Sequence, residues 1–272
     1  MAVDITKMEG TAKKELHVFY ILDTSGSMNG NPIGALNDAM RSTVEELRKK
    51  DGEKADLRIA VMEFNSSVRW ITQGKNGVEH LSDFFWKDLD ADGYTALGEA
   101  LKELNTSLSR NSKMKAETGN KVPVVIFMSD GYPNDDWEGG LNILAQNKWY
   151  RSAIKIAFAI GEADTDVLAK VVGVKKDGSI VPDYKAVIKT NDLQLFSEMI
   201  RVVSVSASLA ASTSQMVGNE VTGSSVVDSV ISPGQSSSDY EPVILDNSPG
   251  VPEDIIYSGD LDDGVFDGFD II

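Results

Sequence analysis

Residues 16–28 read LHVFYILDTSGSM, and this stretch decides the fold because an apolar run passes directly into a polar loop. A continuous apolar run of this length is typical of a β-strand that is buried on both faces, as in a parallel sheet. The loop that follows has the spacing Asp-x-Ser-x-Ser, formed by Asp23, Ser25 and Ser27, and Gly26 lets it turn tightly. We therefore expect one carboxylate and two hydroxyls to face a single concavity at the carboxyl end of this strand.

Strand and helix patterns then alternate as far as residue 208. Apolar runs predict strands at residues 57–64, 68–71, 122–128, 154–160 and 184–188. Apolar residues at helical spacing predict helices within residues 33–47, 96–108, 137–150, 164–172 and 192–208. This order predicts an α/β fold with a Rossmann-like, doubly wound and mostly parallel sheet, one antiparallel edge strand, and helices on both faces. Ligands of such sheets bind outside the carboxyl ends of the strands.

Two further polar loops are predicted to lie at that same edge. Asp130 follows the strand 122–128, and Thr95 precedes the helix 96–108. Carboxylate and hydroxyl oxygens are hard ligands, which suit Mg²⁺, Mn²⁺ or Ca²⁺. Two carboxylates about 5 Å apart repel each other by about 3 kcal/mol at an effective dielectric of about 20, and a divalent cation relieves that repulsion. Each loop taken alone also fits an ordinary role, as a polar turn or, for Thr95, as a helix cap.

Together these loops resemble the von Willebrand factor A (VWA) family over roughly residues 15–208. The resemblance implies that five residues form a metal-ion-dependent adhesion site: Asp23, Ser25, Ser27, Thr95 and Asp130. The hydroxyls would reach the metal directly or through water, and the carboxylates largely through water. It implies one divalent cation, with Mg²⁺ as the first expectation and Mn²⁺ or Ca²⁺ also compatible. One position of the metal would stay open for an Asp or Glu of a protein partner.

Three stretches resemble more narrowly the cytoplasmic, TerY-like VWA proteins of bacterial tellurium-resistance operons: residues 23–32, 93–97 and 128–137. This resemblance implies a stress-response role and a binding partner such as a kinase or phosphatase of the same gene cluster. Tyr94 stands where many VWA domains have Gly, so it could crowd or gate the open face of the metal. Tyr94, Tyr132 and Trp137 are the predicted partner-binding rim.

The composition argues against several other function classes. The 272 residues carry 26 basic and 42 acidic side chains, a formal charge of −16, which disfavours nucleic acid and anionic membranes as partners. The chain has no Cys, which excludes thiolate metal sites. It has no phosphate-binding P-loop, and His17 and His80 are expected to be structural or surface residues, so we predict a protein that is not an enzyme. A metal-assisted phosphohydrolase is the weakest alternative.

The charge is uneven along the chain and predicts three regions. Residues 1–14 form an N-terminal extension, residues 15–210 the VWA domain, and residues 211–272 an acidic tail with 12 acidic residues and no Lys or Arg. The tail is predicted to be mostly disordered because it is rich in Ser, Gly and Pro. It could solubilise the protein, dock a partner, or place a carboxylate on the metal of its own domain. A regulatory or scaffold subunit that acts through this tail is therefore the second functional hypothesis.

Neither a signal peptide nor a membrane span is predicted. The apolar run near the N-terminus is short, and no cleavage site follows it. A transmembrane helix needs about 18 or more consecutive apolar residues, which the sequence does not supply. The expected location is the cytoplasm.

Overall fold

The computed structural model describes residues 13–52, 54–213 and 221–231 and the backbone of residues 244–245. The strands are β1 (Glu15–Asp23), β2 (Asp56–Phe64), β3 (Val68–Trp70), β4 (Glu79–His80), β5 (Val124–Ser129), β6 (Ile154–Ile160), β7 (Val187–Thr190) and β8 (Ile244–Leu245). The helices are α1 (Asn31–Lys50), α2 (Leu97–Ser107), α3 (Trp137–Leu144), α4 (Lys148–Ser152), α5 (Thr165–Val172), α6 (Leu193–Thr213) and α7 (Gly223–Ile231). Short 3₁₀ turns occupy Gly26–Met28, Lys75–Gly77 and Tyr184–Ala186.

All strands belong to one sheet with the order β3-β2-β1-β5-β6-β7-β8, and β4 also pairs with β2. The pairs are parallel except that β3 and β4 run antiparallel to β2. This arrangement confirms the predicted doubly wound fold. The chain continues from β1 to β2 on one side, and β5 pairs on the other side, so the order reverses at β1. A crevice therefore forms at the carboxyl ends of β1 and β5, the usual ligand position in such sheets.

Each face of the sheet is covered by a different set of helices. Val18 and Tyr20 of β1 belong to the apolar cluster that α1, α6 and α7 share. Phe19 and Ile21 point to the other face and pack with residues of α2, α3 and α5. This alternation follows from the two-residue period of a strand, and full burial of each such side chain stabilises the fold by about 1.5–3 kcal/mol. The central strands are thereby held rigidly beneath the loops at their ends.

Some elements differ from the prediction. The predicted helix 137–150 is two helices: α3 ends at Leu144, and Asn147 caps α4 by accepting hydrogen bonds from the N–H groups of Trp149 and Tyr150. The predicted strand 184–188 begins with a 3₁₀ turn, and β7 starts only at Val187. Strand β4 was not predicted, because two residues are too few to show a period.

Parts of the predicted tail, residues 211–272, are ordered, and the prediction that most of this region is disordered stays a prediction. Helix α6 continues to Thr213, and α7 packs with Val226 and Val227 buried in the cluster beneath α6. Ser224 Oγ hydrogen-bonds the carboxylate of Asp183, and the backbone of β8 pairs parallel to β7. Four apolar residues within nine give α7 a face that offsets its chain entropy. The rest of the tail and residues 1–12 lie outside the described residues.

Helix α6 has the length and hydropathy of a membrane span, which the sequence analysis did not anticipate. More than half of its apolar window is buried within the domain, where α6 packs against α1. Phe196, Ile200 and Val203 of this helix are fully buried in the core. The apolar side chains of α6 therefore pack in the core of the domain.

Candidate metal centre

Asp23 is the last residue of β1, and the structure fixes its carboxylate from two sides. The side chain is fully buried, and Oδ1 accepts a hydrogen bond from the N–H of Ser25 at 2.9 Å. Oδ2 accepts a hydrogen bond from Ser129 Oγ, at the end of β5, at 2.6 Å. Burial is the main cause that raises the pKa of Asp23, and the negative charge of Asp130 raises it further. Ser129 was not predicted, although it directly precedes the predicted Asp130.

The two serines of the first loop connect the two carboxylates. Ser25 Oγ lies 3.1 Å from Ser27 Oγ, and Ser27 Oγ donates a hydrogen bond to Asp130 Oδ1 at 2.8 Å. Burial raises the pKa of Asp130 as well. Two partly desolvated carboxylates are thus joined by a chain of hydroxyls across the ends of β1 and β5.

Thr95 is buried and faces the same small volume. A Cβ built on Gly131 would lie 3.4 Å from both Ser27 Oγ and Thr95 Oγ1, so the glycine leaves room where these hydroxyls meet. Gly26 plays a related role, because its N–H donates to the Gly93 carbonyl at 3.0 Å and holds the two loops together. The five predicted donors therefore converge, although they come from three separate loops.

The alternative role of Thr95 as a helix cap is not seen. The N-cap residue of α2 is Ala96, and no side chain of its own segment caps the helix. Instead, the carboxylate of Asp135 accepts hydrogen bonds from the N–H groups of Gly98 and Glu99 at 2.8 and 2.9 Å. Asn134 Oδ1 accepts from the N–H of Thr95 at 2.9 Å, so the loop after β5 fixes the Thr95 loop. These contacts cross 36 to 39 residues of sequence, and local patterns give no signal for them.

The donor set fits a hard divalent cation. It combines two carboxylates with three hydroxyls, and all of these donors are oxygen atoms. Among the described residues, no group of three or more His, Asp or Glu side chains could hold a metal ion, so any cation here relies on the hydroxyls. A cation would also relieve the repulsion and desolvation that raise the pKa of Asp23 and Asp130.

Two of the three predicted rim residues present exposed aromatic rings. Tyr94 is 73% exposed and Tyr132 is 60% exposed, and they flank Thr95 and Asp130 in sequence. Trp137 is half-buried, packs on the apolar cluster of α2, α3 and α5, and has Lys170 Nζ 5.4 Å from its ring centroid. Tyr94 and Tyr132 therefore offer surface to a partner, whereas much of the Trp137 ring serves packing.

Both histidines lie at the opposite end of the sheet. His17 is fully buried near the start of β1, and His80 lies in β4 with Nδ1 3.4 Å from Asp56. A cavity of about 770 Å³ opens there, lined by residues that include Glu15, Arg58 and His80. Neither histidine joins the five converging donors.

Comparison with known proteins agrees with this fold. The family model described as von Willebrand factor type A domain matches residues 17–195. The human inter-alpha-trypsin inhibitor heavy chain H2 is 27% identical over 122 residues, which are 43% of this chain and 12% of that protein. The mouse protein is also 27% identical over 122 residues. This chain thus matches only a small part of the length of these curated relatives.

Solved structures extend the likeness at low sequence identity. A von Willebrand factor type A protein from Catenulispora acidiphila has a TM-score of 0.50 and 17% identity, over 72% of this chain and 43% of that one. The PilB minor pilin from Streptococcus sanguinis has a TM-score of 0.52 and 11% identity, over 75% of this chain and 64% of that one. At these identities the likeness shows the fold alone.

Proposed function

This chain belongs to the von Willebrand factor type A family, and we propose that it is a divalent-cation-dependent protein-binding module. VWA domains generally mediate protein–protein interactions. The observation that carries the proposal is the convergence of five oxygen donors at the carboxyl ends of β1 and β5, where the strand order reverses: Asp23, Ser25, Ser27, Thr95 and Asp130. The buried, doubly hydrogen-bonded carboxylate of Asp23 makes this site preorganised rather than a mobile polar loop.

The chemistry of the donors indicates what the site would bind. Three of the five are neutral hydroxyls, so the protein supplies only two negative charges. A divalent cation held there would offer an open position to an anionic oxygen, for which Asp or Glu of a partner protein is the matching group. Ser129 and the Ser25 N–H orient Asp23, and Ser27 orients Asp130. The exposed rings of Tyr94 and Tyr132 would contact the partner around that carboxylate.

Binding rather than catalysis is the function that we propose. The two histidines lie at the other end of the sheet, and the carboxylates near the hydroxyls are engaged in fixing the site. The narrower resemblance supports a cytoplasmic role in a bacterial tellurium-resistance or stress-response system, with a kinase or phosphatase of the same cluster as partner. We propose this cellular setting because residues 23–32, 93–97 and 128–137 carry the resemblance.

Thermal unfolding of the full chain tests the cation site. In EDTA and with Mg²⁺, Mn²⁺ or Ca²⁺ in turn, a cation at about ten times its Kd should add about 1.4 kcal/mol to the stability of the native state. The expected rise in Tm is about 3–5 °C. Ser25→Ala and Asp130→Ala should each remove this rise, while Ser42→Ala on the exposed side of α1 should keep it. The proposal fails if no cation raises the Tm of the wild type, or if both site variants keep the full rise.

A further inference from the structure

The two ends of the sheet carry opposite charge. The connections at the carboxyl edge, residues 24–30, 65–67, 90–96, 130–136, 161–164 and 191–192, contain no Lys or Arg. They contain eight acidic residues, which we call the acidic collar: Asp90, Asp92, Asp130, Asp135, Asp136, Glu162, Asp164 and Asp192. Asp130 is part of the candidate metal centre, and the other seven lie on loops at the same edge of the sheet. An approaching carboxylate is therefore repelled unless its own neighbours are positive.

The opposite edge is basic. The connections that precede the parallel strands, residues 13–14, 51–55, 108–123, 145–153 and 173–186, contain twelve basic and five acidic residues. Five of the basic side chains belong to the connections before β6 and β7, and we call them the basic edge: Lys148, Arg151, Lys175, Lys176 and Lys185. One copy of this protein thus presents the charge that the collar of another copy attracts.

One turn of the basic edge presents a carboxylate directly after two lysines. Residues 175–179 read Lys-Lys-Asp-Gly-Ser, and the first three of them are exposed. The turn is closed by hydrogen bonds from Lys175 N–H to the Ser179 carbonyl and from Gly178 N–H to the Lys175 carbonyl. Asp177 Oδ1 accepts from both the N–H and the hydroxyl of Ser179, at 2.8 and 2.6 Å. These two bonds orient the exposed carboxylate and do not use its second oxygen, Oδ2.

We propose that a second copy of this chain is a ligand of the metal centre, with Asp177 of one copy occupying the open metal position of the next. The exposed lysines beside Asp177 would lie against the acidic collar and offset the repulsion of the incoming carboxylate. This inference rests on the proposed function, because it names the partner that supplies the acidic group.

The geometry of the sheet makes this contact intermolecular. Asp177 lies in the connection that leads into β7, at the edge opposite Asp23. The seven residues of β6 separate the two edges by about 23 Å, so Asp177 cannot reach the metal centre of its own domain. Since the two contacting surfaces differ, the assembly is head-to-tail, and it grows as an open chain or closes as a ring.

The acidic tail is a weaker occupant of the same position. After Arg201 the sequence contains no Lys or Arg, so no tail carboxylate has a positive neighbour in sequence. Strand β8 runs parallel to β7, and its last residue, Leu245, pairs with Thr190 at the carboxyl end of β7. The acidic collar therefore repels the tail carboxylates, whereas it attracts the lysines of the turn 175–179.

Sedimentation velocity of the full chain tests the proposal through two complementary variants. Asp177→Asn keeps the metal centre but lacks the ligand, and Asp130→Ala keeps the ligand but lacks the metal centre. With Mg²⁺, the wild type should form species larger than a dimer, and each variant alone should associate at least about tenfold more weakly. An equimolar mixture of the two variants should form a heterodimer, because one complete contact remains. EDTA should dissociate both assemblies.

A matched control and the salt dependence sharpen this test. Asp83→Asn changes an exposed carboxylate near the amino edge that has no lysine next to it in sequence, and it should associate like the wild type. Raising the salt from about 0.1 M to about 1 M shortens the screening length from about 10 to about 3 Å, and should weaken the assembly. The proposal is overturned if Asp177→Asn associates like the wild type, or if the wild type stays monomeric with a cation that raises its Tm. In that last case the proposed cation-dependent function stands, whereas absence of any cation effect on Tm contradicts both.

Discussion

Both ends of the sheet bury polar groups, but the two ends differ in whether those groups are hydrogen-bonded. At the carboxyl edge, both oxygens of Asp23 are hydrogen-bonded, and a chain of hydroxyls joins it to Asp130. At the amino edge, both ring nitrogens of buried His17 and Nε of Arg58 lack hydrogen-bond partners among the described residues. Burying a polar group costs free energy unless the group is hydrogen-bonded. The candidate functional end is thus marked by oxygen atoms that converge and are hydrogen-bonded to each other. Burial of polar groups alone does not mark it, because the amino edge buries polar groups as well.

The largest effect that we expect at the amino edge is an acid-dependent loss of stability from His17. Burial, with the positive charge of Arg58 as the second cause, lowers the pKa of His17 from 6.5 to about 4. The unfolded chain then binds the proton first, so stability is complete above pH 6.5 and falls as the pH drops towards 4. The loss over this window is about 3 kcal/mol. Glu15 Oε2, 3.6 Å from Nε2, would oppose this shift, but burial outweighs it.

Urea unfolding as a function of pH measures this loss, and His17→Phe is the matched variant. Phe keeps a flat ring that can stack on Phe19, whose centroid lies 6.3 Å from that of His17. The variant should lose about 3 kcal/mol less than the wild type between pH 6.5 and 4. Parallel pH profiles for the two proteins would contradict this prediction, because they would show that His17 has the same pKa in the folded and unfolded states.

A medium effect is expected at the carboxyl edge from Asp135→Ala. This carboxylate accepts hydrogen bonds from the first N–H groups of α2, and the neighbouring Asn134 holds the Thr95 loop. Its removal should lower the free energy of unfolding by about 1 kcal/mol, as for loss of a helix cap, and weaken cation binding because Thr95 is less well placed. Chemical denaturation in EDTA and cation titration by calorimetry measure the two effects. Asp135→Asn should restore part of the capping, and equal behaviour of Asp135→Ala and wild type would contradict this role.

The smallest effect on stability, with a distinct effect on binding, is expected from Gly131→Ala. The added Cβ would lie 3.4 Å from Ser27 Oγ and Thr95 Oγ1, which is ordinary contact, so the stability in EDTA should change by less than about 0.5 kcal/mol. The methyl group would occupy space where the donors meet, so the rise in Tm with Mg²⁺ should shrink. Gly34→Ala is the control, because its Cβ would meet nothing within 4 Å. An undiminished Mg²⁺ effect in Gly131→Ala would place the cation away from this glycine.

The sequence predicted much of the fold because the strands have strong local signals. The runs that became β1, β5 and β6 are mostly apolar, and their lengths matched the structure to within about two residues. The prediction for helix 137–150 was wrong because the cap formed by Asn147 interrupts an otherwise suitable pattern. Helix α7 within the tail was not predicted, because its short apolar face gains stability from packing against the domain, which composition cannot reveal.

By itself, the sequence determined the strands, the loops at their ends and the kinds of donor atom that those loops carry. Each of these follows from local chemistry: the two-residue period of a strand, the turn that Gly26 allows, and oxygen ligands that come just after a strand or, for Thr95, just before a helix. Only the tertiary structure decided which loops meet. The register of β1 with β5 brings Ser27 to Asp130, 103 residues away, and Asp135 to the start of α2. Pairing and packing across the sheet depend on distant residues, and no local pattern encodes their geometry.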